Sequence, residues 1–492
     1  MALVSNDGLE NLVMTARFLR LAQLTLIAMA TCYASGGTAA TASVGPRPLG
    51  GVRPQHYGAC PAARTSFFVD TQNFRQLDYK KGNGKATPMF VNGVDYMPTQ
   101  VGIPGDDGYG YPDPNPLDDV NEAIWLPDLE AMRKDGVNAL KVYSVAPPDI
   151  KNFVPPLSNH RLLKPNETGK IDKFLQAAWN CGDRPIFVVL SFEFGAADAL
   201  NAGQLKALKD VFYEVARDNA AAPALMGISL GNEINGDTEQ FVGNPQWWSN
   251  LNDIVDSIRG GYAKSNAQKI VTTTMVDFVR DGPNGKYMPT IVEGEKNHFK
   301  ADVWGLDAYR GYTFTSFWKE LADAKRPEFM SEYGAPAGYL PQSGAQYVPA
   351  GKNLFKCIDY PNQLPAWEPA DELPGSGNPN MQSLADLVTS NATELWANRA
   401  SAGGEGSGGF YFEWNDEYWK GGWKGPAHVG GAFQNNPKKL VVANGAYPGC
   451  YNMEGWFGLN ADQQDRGDPY LPNKHIPRPS LGALKAAWAS ER

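Results

Sequence analysis

Residues 227–236, GISLGNEING, decide how this 492-residue chain is read. An apolar, β-compatible run ends at Leu230, passes through Gly231 and Asn232, and delivers a lone carboxylate, Glu233. A short continuous apolar run bounded by turn residues predicts a buried strand, here one with an acid at its C-terminal end. Residues 327–336, PEFMSEYGAP, repeat the design: apolar residues run into Ser331, then Glu332, then Tyr333 and Gly334. Either carboxylate alone reads equally well as a solvated group at a strand-ending turn. The repetition is what makes a shared site worth pursuing.

Outward from these two stretches the alternation is regular. Strand patterns fall at 90–97, 139–145, 185–194, 225–233, 270–276, 303–309, 328–332 and 409–414. Helical patterns lie between most of them, at 121–135, 203–218, 248–265, 317–324 and 381–398. Eight strands alternating with helices predict an α/β fold, a (β/α)8 TIM barrel with long βα-loop insertions and a small N-terminal hairpin. An open doubly wound sheet has the same periodicity, but no phosphate-binding glycine fingerprint follows the first strand. On this count Glu233 ends strand four and Glu332 ends strand seven. Barrel active sites lie at the C-terminal ends of the strands, so both acids face one pocket. Two carboxyls about 5 Å apart, one neutral and one ionised, suit retaining glycoside cleavage. Burial and like-charge repulsion are expected to keep Glu233 protonated, and the amide of Asn232 can hold a sugar hydroxyl beside it.

Composition sets the outer limits. The chain is 42% hydrophobic and 11% aromatic, enough for a large core. With a net charge of −9, the signs mixed and no basic block, nothing points to nucleic acid or an anionic membrane surface as a partner. Five histidines without ligand spacing give no metal site, and no cofactor is expected. Arg17 and Arg20, then an apolar run at 21–34 and small residues at 35–42, describe a secretory signal peptide, with a signal anchor as the alternative. The expected organisation is a signal and leader at 1–42, a Gly/Pro/Ala-rich arm at 43–65, and a catalytic domain at 66–492. Two insertions, at 335–379 and 417–477, are expected to form cleft walls. Cys60, Cys181, Cys357 and Cys450 are compatible with two disulfides in any of three connectivities. Asn166 and Asn391 begin glycosylation sequons. The protein is expected to be a secreted or cell-wall monomer whose partner is a polysaccharide or oligosaccharide.

The motifs VNGVDYMP (91–98), GVNALKVYSV (136–145), GISLGNEING (227–236), VWGLDAYRG (303–311), EFMSEYGAP (328–336) and GGFYFEWND (408–416) together resemble clan A retaining glycoside hydrolases. They are most similar to glycoside hydrolase family 72, the β-1,3-glucanosyltransferases. The resemblance implies that Glu233 is the general acid/base and Glu332 the nucleophile. It implies that Asn232 holds the sugar 2-hydroxyl, that Tyr309 hydrogen-bonds the nucleophile and that Tyr143 lines the donor site. Lys141 departs from the family, which usually has Arg there. Residues 415–420 look more like bacterial-type clan A sequences than like the fungal enzymes. No Cys-rich accessory module or lipid-anchor signal is seen.

The remaining residues carry competing readings. Trp414 is the strongest candidate for a sugar platform, since an aromatic ring stacks on an apolar pyranose face. Trp247, Trp248, Trp419, Trp423 and Trp456 read first as core and second as outer subsites, and the pair Trp247-Trp248 could help bind an acceptor. Asp95, Asp307 and Glu413 read as structural carboxylates, while Glu193 divides between sugar contact and salt bridge. The functional reading is a secreted retaining β-glycoside hydrolase or transglycosylase on β-glucan. Its alternatives are a clan A endo-β-mannanase or β-1,4-glucanase, and a carbohydrate-binding or wall-structural protein on an inactive barrel.

Overall fold

The structure, a computed structural model, describes residues 60–98, 117–143, 171–235, 239–277, 279–282, 285–310, 313–314, 316–321, 323–335, 338–339, 368–369, 379–417, 457–463 and 472–491. The expected leader, Trp419, Trp423, Trp456, Cys357, Cys450 and the Asn166 sequon lie outside the described residues.

All eight expected barrel strands form. In chain order they are Val91–Asp95, Ala139–Val142, Phe187–Phe192, Leu225–Leu230, a split fifth strand, Trp304–Asp307, Glu328–Tyr333 and Gly406–Tyr411. Every pairing between neighbours is parallel, and strand eight returns to strand one with Gly408 opposite Val91. The fifth strand consists of Ile270–Thr273, paired with strand four, and Met275–Val276, paired with strand six. Only Thr274 separates these halves, so one chain segment reaches both neighbours and the sheet closes as a (β/α)8 barrel.

The residues at this seam explain the split. Thr273 Oγ1 and the backbone of Gly305 exchange two hydrogen bonds of 3.1 Å, so a side chain continues the ladder where the two main chains part. Gly305 tolerates that approach because it has no Cβ; an added one would lie 1.9 Å from the carbonyl oxygen of Thr273.

Helices cover the barrel. Pro245–Lys264 begins with Pro at its first turn and with Asn244 Oδ1 accepting the Gln246 N–H at 2.9 Å, which satisfies one of the helix's open donors. This helix decides between the two readings of its tryptophan pair in favour of the first, core packing. Trp247 and Trp248 are fully buried, their indole N–H groups donate to the carbonyls of Ala196 and Val242, and Trp248 packs on Phe299 and Trp304. Both rings are core, and neither is open to an acceptor. The expected helix at 317–324 is shorter, Phe317–Glu320. Asn391 lies buried within helix Pro379–Ala397, so its sequon is not presented on the folded surface.

At the N-terminal end of the barrel, Thr65–Val69, Leu77–Lys81 and Thr87–Pro88 form the small antiparallel sheet expected there as a hairpin. Phe67 and Tyr79 pack on Phe187 of strand three. Cys60 and Cys181 form a disulfide that ties the start of this sheet to the segment before strand three.

A second hairpin, Asn460–Gln463 with Lys474–Pro477, lies within the expected second insertion. It extends the barrel through Leu459 N to Glu413 O and Asn460 N to Trp414 O. Arg478 holds the Asp416 carboxylate with two 2.7 Å hydrogen bonds. His475 bridges Asp462 of the hairpin at 2.5 Å and Asp128 of helix Glu122–Asp135 at 2.6 Å, and Asp128 also accepts the Tyr96 hydroxyl.

Two measurements check this architecture. Gly305→Ala should cost about 3 kcal/mol in a denaturant titration, since the new methyl meets backbone at the seam. Burial opposes the His475 cation, but Asp462 and Asp128 outweigh it and hold its pKa well above the usual histidine value. A raised folded-state pKa gives stability that is full below about pH 6.5 and is lost as pH rises through the folded value. Wild-type protein should therefore lose melting temperature above neutral pH more steeply than His475→Gln, as read by thermal denaturation across pH 6 to 9.

Candidate active site

The C-terminal ends of the strands bring together side chains scattered over more than 200 positions of sequence. Glu332, on strand seven, is buried, and both of its carboxylate oxygens are held. Oε1 accepts from the Tyr143 hydroxyl at 2.8 Å and from Lys141 Nζ at 3.1 Å, both from the strand-two segment. Oε2 accepts from the Tyr309 hydroxyl at 2.8 Å, just past strand six. The hydrogen bond expected from Tyr309 is thus present, and Tyr143 makes a direct contact with the same carboxylate.

Lys141 is the residue whose importance the sequence understated. Its side chain is 1% exposed, and the ammonium lies 3.5 Å from Asp95 Oδ1 of strand one and over the Tyr143 ring at 4.4 Å. Burial disfavours this cation, yet Asp95, Glu332 and Asp307 together push its pKa upward. The signal available in the sequence was the i, i+2 spacing of Lys141 and Tyr143, which puts both on one face of a strand.

Asp307 sits beside Glu332 in the strand pairing and accepts the Ser331 hydroxyl at 2.6 Å. Burial raises its pKa, and the charges of Glu332 and Glu233 add to that while Lys141 opposes it. Asp95 is raised in the same way, by burial first and with Glu332 adding. The repulsion between Glu233 and Asp307 places the strand-four acid within electrostatic reach of this cluster.

Glu233 stands in a left-handed conformation, φ +46°, two residues after Gly231 at φ +62°. A non-glycine residue there costs roughly 1 kcal/mol or more, and such positions cluster at functional sites. The turn is pinned from below. Asn235 donates to Val276 O at 2.9 Å and to Thr290 Oγ1 at 3.0 Å, and its Oδ1 accepts the Val276 N–H at 2.8 Å. Ser229 and Thr274 share a 3.0 Å hydroxyl contact one step earlier. Asn235 was not singled out in the sequence, though it lies inside the deciding motif. The side chain of Glu233 is exposed, so the burial expected around it is not found.

Asn232 is half-buried, and its Oδ1 has no hydrogen-bond partner within the protein. Trp414 follows strand eight, with its backbone N–H on Asp95 O; its ring is 1% exposed and its indole N–H is likewise unpartnered. The expected open face of Trp414 is therefore not displayed. Met97, Tyr143, Phe412 and Phe457 form a small apolar cluster, with Tyr309 packed against it, apart from the main core. Glu193 is half-buried at the end of strand three, and Glu413 is buried beside Trp414. Among the described residues no group of His, Cys, Asp and Glu is arranged to hold a metal.

The arrangement presents an oriented, hydrogen-bonded carboxylate at the end of strand seven and a second, solvent-exposed carboxylate at the end of strand four. Tyr309→Phe should lower kcat/KM about 10- to 100-fold while leaving the melting temperature within a few degrees, since it removes one charge-assisted hydrogen bond from Glu332. Steady-state kinetics and calorimetry on one preparation would check it.

No protein-family model and no curated protein matches the chain. Among solved structures, similarity is found to a GH2 β-galacturonidase from Eisenbergiella tayi, at 11% identity and TM-score 0.47, over 86% of this chain and 54% of that one. It is also found to a GH5_18 protein from Streptomyces cattleya, at 14% identity and TM-score 0.44, over 80% and 81%. A third is a hyperthermophilic endocellulase from Pyrococcus horikoshii, at 12% identity and TM-score 0.44, over 74% and 93%. The chain spans about half the length of the galacturonidase. The fold assignment rests on the strand pairings described above, and the site on its own geometry.

Proposed function

We propose that this protein is a retaining β-glycoside hydrolase or transglycosylase that acts on β-glucan, with β-1,3-glucan as the first substrate to test. One observation carries the reading: Glu332, at the C-terminal end of strand seven, is held by two tyrosyl hydroxyls and an ammonium, with Glu233 at the corresponding end of strand four. In the first step an oxygen of Glu332 bonds to the anomeric carbon as the glycosidic C–O bond breaks, and the leaving oxygen takes the proton of Glu233. In the second step water or a sugar hydroxyl gives its proton to Glu233 and its oxygen to the anomeric carbon, which frees Glu332. The exposure of Glu233 suits a group that exchanges protons with solvent-borne acceptors. The unpartnered Oδ1 of Asn232 suits a sugar hydroxyl, because a buried acceptor left unmade costs about 1–3 kcal/mol. The Cys60–Cys181 disulfide supports an oxidising, extracytoplasmic setting.

A second reading, a clan A endo-β-mannanase or β-1,4-glucanase, is favoured by Lys141 in place of the Arg usual in family 72 and by the sequence after Trp414. With Trp247 and Trp248 in the core, transfer would need an acceptor site built from other residues. The test uses β-1,3-, β-1,4-gluco- and manno-oligosaccharides with product sizes followed over time. Cleavage of the β-1,3 series with products longer than the substrate is expected. Glu332→Gln should abolish turnover of all substrates, whereas Glu233→Gln should spare the first step for dinitrophenyl glycosides, which leave without a proton. Inactivity on every glycan, or an equal response of the two variants to leaving-group acidity, would refute the assignment.

A further inference from the structure

Asp95 and Glu332 share one buried cation. Lys141 Nζ lies 3.1 Å from Glu332 Oε1 and 3.5 Å from Asp95 Oδ1, and all three side chains are shielded from solvent. The groups around the ammonium come from four strand segments: Asp95 from strand one, Tyr143 from the end of strand two, Asp307 from strand six and Glu332 from strand seven, whose other oxygen accepts from Tyr309. Only Asp95 and Glu332 are within ion-pair distance of Lys141 among the described residues.

This inference rests on Glu332 acting as the nucleophile. On that reading the first step converts the Glu332 carboxylate into a neutral ester, and Lys141 loses its nearer counterion while remaining buried. An unpaired buried charge is strongly destabilising. We propose that Asp95 is a positioning residue that acts through Lys141, keeping the ammonium paired while Glu332 is esterified. The charge of Glu332 now works against ionised Asp95, adding to burial. That repulsion ends when the ester forms, so the Asp95–Lys141 pair strengthens when it is needed. When the acceptor oxygen bonds to the anomeric carbon and its proton passes to Glu233, the Glu332 carboxylate returns and the lysine is shared again.

The test is a pre-steady-state burst measurement with 2,4-dinitrophenyl β-glucoside and β-mannoside, whose first step needs no proton donor. Compared are wild-type protein, Asp95→Asn, Lys141→Met and the double variant, each across a pH series. Asp95→Asn should slow the burst about 100-fold, because the transition state already discharges Glu332. Its alkaline limb should move to lower pH, since Lys141 loses an anion that helps hold its proton. In the Lys141→Met background Asp95→Asn should add nothing. Asp95→Asn slowing the burst equally in both backgrounds, or leaving rate and alkaline limb unchanged, overturns the proposal. If Asp95→Asn does not fold, Asp95→Ser with added formate replaces it: recovery of the burst supports the counterion role, and failure to recover refutes it. Absence of a burst in wild-type protein, with no labelling of Glu332 by 2-deoxy-2-fluoro glycosides, defeats the retaining reading and this inference together. A wild-type burst with no Asp95 effect defeats this inference alone.

Discussion

One ammonium among carboxylates is the constraint on which the site depends. Asp95, Asp307 and Glu332 converge within the mouth of the barrel, Glu233 lies within electrostatic reach, and Lys141 is the cation that joins two of them. Concentrating negative charge in a buried space is unfavourable unless a cation or a proton offsets it. Both compensations are visible here. Lys141 is pushed firmly toward its charged form, and Asp95 and Asp307 are pushed toward theirs without charge. Both oxygens of Glu332 accept hydrogen bonds from hydroxyls held in fixed directions. A carboxylate so oriented is presented at one angle, as in-line attack on an anomeric carbon requires.

Barrel closure is the precondition for that convergence. Lys141 and Tyr143 come from strand two, Tyr309 from just past strand six and Glu332 from strand seven, so their mutual distances are set by the circumference of the sheet. The fifth strand closes it in two pieces, and the Thr273–Gly305 exchange bridges the seam. The same region positions the acid on strand four, because Asn235 hydrogen-bonds to Val276 and Thr290 and Ser229 to Thr274. Architecture and chemistry are therefore not separable at strand five. A change that loosens the seam also releases the turn that carries Glu233.

Much of this was legible in the sequence. Strand order and number followed from apolar runs spaced by helical patterns, and the ends of strands four and seven placed Glu233 and Glu332 on one face. What the sequence left open or misplaced has physical causes. Trp247 and Trp248, read first as core and second as outer subsites, prove to be core because they open an amphipathic helix whose first turn faces inward against Trp304 and Phe299. The expected burial of Glu233 failed because a left-handed turn after Gly231 redirects the chain at the strand end, which an apolar pattern does not encode. Lys141 read as a departure from a family pattern, whereas its meaning depends on Asp95, 46 positions earlier. Pairings between distant strands emerge only once the sheet's register is fixed.

Register also explains why aspartate and lysine can be tolerated there at all. Asp95 and Lys141 stand opposite each other in the pairing of strands one and two, and Asp307 stands opposite Glu332 in the pairing of strands six and seven. Each buried charge thus faces another ionisable group across one ladder rung, the first pair opposite in sign and the second alike. In the opposite pair Lys141 favours the ionised aspartate, while burial and the charge of Glu332 oppose it. The like pair persists only while a proton or Lys141 relieves it. Esterification of Glu332 would discharge that repulsion. On this view the buried carboxylates work with Lys141 as one unit around the free Glu332 carboxylate. The lysine keeps the free state from becoming so costly that the barrel could not hold it.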